Sequence, residues 1–312
     1  MIIALITGGL GNQLFQYAMA RRLAVCRNTD LLLDLRGYSS SDGERRPKEL
    51  KAFARHLSLF QFQIRARAAT DDEIQTLRDD FLTFSVRDRC VRLVRKCRRS
   101  FLWKASHVVE RKYQFQSEAL LFSDNVYLQG YWQSEKYFAD VASLIRQEIQ
   151  PLDTSMSASA KQVVNRLKAQ YGEVISLHVR RGDLAHAHEA LGKNITQGAP
   201  VTSEYIRRAI WKFSENACFF VFSDTPNDIE WCKQNIRARH VEFSNGKSEL
   251  WDFLAMRFCD HNIIANSTFS WWAAWLNDKP GRRVLAPRTW SVPGARFPMP
   301  TDDLLPNGWE TL

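Results

Sequence analysis

From Val174 onward, short apolar runs alternate with helix-length amphipathic stretches, and each apolar run ends in polar residues. The runs at 174–177, 218–222, 240–243, 262–265 and 284–286 are too short for helices and rich in β-branched or aromatic residues, so they read as buried strands. Between them, 203–213, 227–234 and 248–258 carry apolar residues at helical spacing. This alternation predicts a doubly wound parallel sheet, whose ligands bind at the carboxyl ends of its strands.

The first residues repeat the theme. Residues 1–6 read as a buried strand that runs into Thr7-Gly8-Gly9-Leu10-Gly11-Asn12. A helix is expected from about 13 to 27, with Leu14, Phe15, Ala18, Met19, Val25 and Cys26 as its apolar stripe, and a second strand at 31–34. Strand, glycine turn, helix and strand form a βαβ unit. Residues 125–132 read as a strand entering a Gly-aromatic turn, and 137–149 as a helix stopped by Pro151. The small polar residues 153–159 are the best linker, and helix signals resume at 161–170. The 312 residues therefore divide into two α/β domains, 1–155 and 156–312. Residues 36–120 carry no motif.

Charge narrows the partners. The net charge of +9 calls for something anionic: nucleic acid, an anionic lipid surface or a phosphorylated small molecule. Much of it lies in 87–99, with Arg87, Arg89, Arg92, Arg95, Lys96, Arg98 and Arg99. That segment reads as a solvated helix face, with peripheral membrane contact as the alternative. The six cysteines form no C-x-x-C pair and read as free thiols of a reducing compartment. No apolar run reaches the ~20 residues of a membrane span, and no basic region precedes the apolar start. A cytoplasmic protein is expected, peripheral on the inner face of the membrane if 87–99 makes that contact.

Four clusters carry chemistry. Gly8 to Gln13 sits between strand and helix, where glycines let backbone approach a phosphate or sugar at the helix N-terminus. A tight βα turn explains the same residues. The nicotinamide fingerprint needs a further glycine where Leu14 stands, although Asp34 mimics its ribose-binding acid. His178-Val179-Arg180-Arg181-Gly182-Asp183 follows a buried strand. Adjacent arginines point to opposite sides, so one clamps an anion and the other packs structurally. Ser223-Asp224 ends another strand and offers an acceptor for a ribose hydroxyl or a base edge, or else caps a helix. Asn266-Ser267-Thr268-Phe269-Ser270-Trp271-Trp272 opens a helix and gathers N–H groups and hydroxyls around an anion site. Its tryptophans read as core. There is no D-x-D, no G-x-x-x-x-G-K-[ST] and no G-x-S-x-G, and the histidines lack zinc spacing.

Taken together, GGLGNQLFQYA at 8–18, HVRRGD at 178–183, FSD at 222–224 and NSTFSWWAAWL at 266–276 resemble the bacterial α-1,2-fucosyltransferases of glycosyltransferase family 11. The resemblance covers about 1–35 and 125–290. It implies a GT-B-like fold, two Rossmann-like α/β domains with parallel sheets facing an interdomain cleft. The N-terminal domain would take mainly the acceptor and the C-terminal domain GDP-fucose. It further implies inverting transfer of L-fucose from GDP-β-L-fucose to the 2-hydroxyl of a terminal β-galactoside, including a lipid-linked oligosaccharide, in surface-polysaccharide synthesis of the O-antigen type. No metal or other cofactor is expected.

By that similarity Arg180 faces the donor β-phosphate, His178 contacts the nucleotide, and Asn12 is a donor-side residue. The full donor set is Gly11, Asn12, Gln13, His178, Arg180, Arg181, Ser223, Asp224, Asn266, Ser267, Thr268 and Ser270. Arg180 and Asp183 are the catalytic candidates, Asp183 as a base or as the partner that orients Arg181. The chain departs from the family with Leu184 after the motif and with Thr225 after Asp224, where a second acid is common. Two other classes stay open. One is a nicotinamide-dependent oxidoreductase resting on Gly9, Gly11 and Asp34. The other is a nucleic-acid or anionic-lipid binding protein driven by net charge.

Overall fold

Ile2, Ile3, Ala4 and Leu5 have no polar side chain for water on either face, so the strand they form must be covered twice. In the computed structural model, which describes residues 1–38, 56–78, 105–181, 201–223, 225–246, 248–290 and 301–312, that is what happens. Strand β1 (Ile2–Leu5) lies at the centre of a parallel sheet with β2 (Leu31–Asp34), β3 (Arg67–Ala68), β4 (His107–Val109) and β5 (Val126–Gln129). The order is β3-β2-β1-β5-β4, with Ile2 opposite both Leu31 and Val126. Helix α1 (Leu10–Cys26) covers the Ile2 and Ala4 face. On the other face Ile3, Leu32 and Tyr127 pack against Ile74 and Leu77 of α2 (Asp71–Leu77), which a Thr70–Glu73 capping box opens.

Helix α1 starts inside the glycine turn, earlier than its apolar stripe suggests. It is buried nearly all round, Gln13, Gln16 and Tyr17 included. Its end differs from expectation: Val25 and Cys26 are exposed. Leu23 and Ala24 take the last inward positions, and the next two residues turn past the edge of the core.

The passage to the second sheet runs through α3 (Ala142–Glu148) and α4 (Thr154–Tyr171). Residues 154–159, read from sequence as linker, are the first turns of α4. Asp153 accepts from the Ser155 and Met156 N–H groups and caps the helix.

The second sheet is also parallel, in the order β11-β10-β9-β6-β7-β8. Its strands are β6 (Val174–Val179), β7 (Cys218–Ser223), β8 (His240–Phe243), β9 (His261–Ile263), β10 (Val284–Ala286) and β11 (Glu310–Thr311). The interleaved helices are α5 (Ser203–Ile210), capped by Thr202, α6 (Pro226–Asn235), α7 (Glu249–Phe258) and α8 (Thr268–Leu276). A short α9 (Thr301–Leu304) returns to the first sheet, where Lys136 meets the Asp303 carboxylate at 2.6 Å. Two parallel α/β sheets around a shared cleft are the GT-B-like arrangement expected from the motifs.

One apolar cluster joins the halves. Phe15 of α1 lies 4.5 Å from Trp271 and 5.0 Å from Trp272 of α8, and Phe138 stacks on Trp272. The tryptophans are core, as their sequence context suggests. In the second sheet the winding reverses once, between β6 and β9; in the first the chain crosses from β3 to β4 at the far edge and steps back to β5 beside β1. Such a reversal opens a crevice at the carboxyl edge.

Asp34 belongs to the frame. It is fully buried, pairs with the Arg36 guanidinium at 2.8 Å and accepts from the Tyr127 hydroxyl at 2.7 Å. Burial alone would push its carboxyl up, yet the Arg36 guanidinium and backbone N–H, with Tyr127, hold it below the usual carboxylate range. A depressed carboxyl contributes stability above its unfolded pKa and loses it as pH falls through the folded value. Asp34→Asn should therefore cost roughly 1–3 kcal/mol at pH 7 and much less near pH 3, read by denaturant unfolding at both. An equal loss at both pH values would contradict the pairing.

Candidate active site

The carboxyl ends of β1 and β6 face one another across a cavity of about 450 Å³. From the first sheet come Gly8 to Asn12, and from the second His178, Arg180, Ser223, Ser267 and Thr268. Residues widely separated in the chain, singled out by motif alone, thus share one wall.

Two helix N-termini meet there. Gly9 caps α1 and Ser267 caps α8, and neither helix has a side-chain cap bond. Each first turn keeps orphan N–H groups and the positive end of its dipole at the cavity. Gly11 makes the approach possible: a Cβ there would lie 2.3 Å from the Thr268 carbonyl carbon and 2.5 Å from the Phe269 nitrogen. Its small size serves the other helix, where the sequence suggested room for a ligand. Gly8, at φ +79°, turns the chain into α1. Asn12 locks the junction, its Oδ1 accepting from Gln133 Nε2 at 2.9 Å and from Thr268 Oγ1 at 3.1 Å.

The two arginines separate. Arg180 lines the cavity, whereas the Arg181 guanidinium lies 4.1 Å above the Trp231 ring. Arg181 thus packs on Trp231 and is not among the residues that line the cavity. His178 is buried, and its ring sits 5.9 Å from that of Phe269. Ser223 Oγ donates to the Val179 carbonyl at 2.7 Å, which pins the ends of β6 and β7 together.

Three other expected donor residues also stand behind the wall. Gln13 is fully buried; its Nε2 donates to the Gly8 and His56 carbonyls, and its Oε1 accepts from the Ser58 and Leu59 N–H groups. That side chain has reached its full complement of protein partners for an amide's main bonds and holds a loop. Asn266 donates to the Thr289 carbonyl at 3.0 Å, and Ser270 bonds within its own turn. Asp183, Asp224 and the basic segment 87–99 lie outside the described residues.

The sequence reading passed over one side of this cavity. Ser248, Glu249 and Asp252, at the start of α7, also line it. Glu249 accepts from Ser58 Oγ at 2.7 Å, which ties the first half of the chain to the second. Asp252 accepts from the Ser244 hydroxyl. The signal was present as two acids at i and i+3 on the polar face of an amphipathic helix. One cavity thus offers a guanidinium for an anion and carboxylates that accept N–H or O–H groups, which suits a polar, anionic molecule.

A second cavity, about 1050 Å³, opens at the carboxyl ends of β1 and β5 and is walled by 109–118 and 129–131, with Leu5 and Thr7. Tyr131 borders both cavities. Among the described residues no group of three or more His, Cys, Asp or Glu is gathered as a metal site.

Compared with known proteins, the chain matches the model of Glycosyl transferase family 11 over residues 1–309. It is similar to an alpha-1,2-colitosyltransferase of Escherichia coli, 30% identical over 93% of this chain and 92% of that protein. It is 29% identical to the O-antigen biosynthesis glycosyltransferase WbnK of Escherichia coli, over 91% and 93% of the two chains. A galactoside alpha-(1,2)-fucosyltransferase 1 of Saimiri boliviensis boliviensis is 32% identical over 48% of this chain and 42% of its own.

Gly11→Ala should force the two helix N-termini apart. Overpacking of this kind costs roughly 1–3 kcal/mol, measurable as a lowered denaturation midpoint. An unchanged midpoint would show that the contact is not tight.

Proposed function

The chain belongs to glycosyl transferase family 11, and on that premise we propose that it transfers L-fucose from GDP-β-L-fucose to the 2-hydroxyl of a terminal β-galactoside. Transfer inverts the anomeric carbon and needs no metal ion. The observation that carries this reading is the cradle formed by Arg180 and the two uncapped helix N-termini. As the sugar C1–O bond breaks, its electron pair leaves on the β-phosphate oxygen. Fixed N–H dipoles and one guanidinium meet that charge without reorganisation. Glu249 and Asp252, in the lining of the same cavity, suit the ribose hydroxyls and the N–H edge of guanine. The larger cavity holds the acceptor and delivers its hydroxyl past Tyr131.

The names of two relatives support the sugar and the acceptor, one a galactoside fucosyltransferase and the other a colitosyltransferase. Colitose is fucose without its 3-hydroxyl, so GDP-colitose is the second donor to test. Similarity to an O-antigen enzyme favours a surface-polysaccharide acceptor, lipid-linked at the inner face of the membrane. No helix among the described residues is long and apolar enough to cross a membrane. The oxidoreductase alternative loses its ribose acid, because Asp34 is buried against Arg36 and Tyr127.

Incubation with each donor and a panel of β-galactosides, with the product linkage read by NMR, should give an α-1,2-fucoside. Faster transfer from GDP-colitose would reassign the donor. Arg180→Ala should lower kcat by ~10²–10³-fold or more with an unchanged melting temperature. EDTA should leave the rate as it is; a loss restored by Mn²⁺ would remove the metal-free mechanism.

A further inference from the structure

The 1050 Å³ cavity contains a carboxyl group that the donor chemistry does not use. Glu110 follows β4, and its own N–H extends the ladder to the Gln129 carbonyl at 2.8 Å. Its side chain folds over the turn after β5. Oε2 accepts from the Tyr131 N–H at 2.7 Å and Oε1 from the Trp132 N–H at 3.1 Å. Each oxygen is fixed by one backbone donor, and an ionised carboxylate has acceptor sites to spare. Among the described residues Glu110 has no ion-pair partner, although it is part of a cavity wall.

The turn is shaped for this group. A Cβ on Gly130 would stand 2.4 Å from the Glu110 Cβ and 2.9 Å from its Oε2, so only glycine admits the carboxylate. Trp132 adopts φ +54°, a conformation that costs a non-glycine residue energy and is kept here by its surroundings. Gln16 braces the same turn from α1. Its Nε2 donates to Thr7 Oγ1 and the Gly130 carbonyl, and its Oε1 accepts from the Thr7 N–H. Tyr131, whose N–H grips the carboxylate, borders the donor cleft as well. Glu110 is therefore held at the partition between the two cavities.

We propose that Glu110 is the catalytic base of the transferase reaction, receiving the proton of the acceptor hydroxyl as that oxygen attacks the donor sugar. The inference rests on the transferase reading above. In the step, the acceptor oxygen forms the new bond to C1 and the bond from C1 to the β-phosphate oxygen breaks. That electron pair leaves with GDP, and the hydroxyl proton passes to a Glu110 oxygen, from which solvent takes it after product release. Burial raises the carboxyl above the usual glutamate range against the two N–H groups that lower it, the direction that strengthens a proton acceptor. The charged groups of the same cavity are Arg111, Lys112 and Glu118. The nearby Tyr137 hydroxyl is pushed up to about 12 by burial first and by the Glu110 charge as well.

The test uses the full chain with GDP-fucose and lactose across pH 4.5 to 8. For wild type, kcat should fall on the acid side with an apparent pKa above the ~4.3 of a free glutamate. Glu110→Gln should lower kcat by ~10²–10⁴-fold, lose that acid limb and keep its KM for GDP-fucose within about twofold. Glu110→Asp should retain the limb at reduced rate. A Glu110→Gln kcat within threefold of wild type, or an acid limb that survives in it while Asp183→Asn abolishes it, would overturn the assignment. If the Gln variant does not fold, the wild-type profile decides, because a flat profile rules out a titrating base. Wild type that transfers to no β-galactoside defeats the transferase reading and this inference with it; normal wild-type transfer with an unimpaired Gln variant defeats Glu110 alone.

Discussion

The contact between Gly11 and the backbone of Thr268 sets the geometry of this protein. It brings the N-termini of α1 and α8 together, and those helices belong to different sheets. Below the contact, Phe15, Phe138, Trp271 and Trp272 fill the space between them, so the junction is a core and not a hinge of polar contacts. Aromatic burial of this extent is worth several kcal/mol, far more than the polar ties at the rim. Asn12, held by Gln133 and Thr268, seals the junction at the cavity edge. A larger residue at 11 would move both dipoles away from the point where they now converge.

Once that junction exists, the rest of the site follows from topology. One cavity lies at the carboxyl ends of β1 and β5, the other at those of β6 and β7 beside the glycine turn. One crevice collects the cation and helix termini, the other a carboxyl group, aromatic rings and amides. Tyr131 stands between them. A reaction that separates charge from a diphosphate and takes a proton from a hydroxyl needs its cation and its base on opposite sides of the reacting carbon. Arg180 lines one crevice and Glu110 the other, with Tyr131 bordering both.

The elements whose chemistry is local were legible in the sequence. The strand–glycine turn–helix opening, the buried β6 and β7, and the helix after Asn266 all stand where patterning puts them. Alternation separates Arg180 from Arg181, but which of the two faces the cavity came from the family resemblance. What escaped depends on distant partners. Strands β3 and β4 have two and three residues and carry no pattern of their own; they exist because β2 and β5 offer free edges. The resemblance put Gln13 among the donor contacts, yet its side chain is bonded to Gly8 and to residues 56–59, which no local pattern reveals. Residues 153–159 looked like a linker because small polar residues suit both a linker and a capped helix start. Glu110 lay in a stretch with no motif, and only the fold places it against Tyr131 and Trp132.

The proposed transfer requires that Arg180 and two helix N-termini hold a diphosphate. Calorimetric titration of the full chain with GDP and, separately, with guanosine measures this. GDP should bind at least ~10²-fold more tightly, since charge-assisted hydrogen bonds to its phosphates contribute about 1.5–3 kcal/mol each. Guanosine binding within a few-fold of GDP would contradict it.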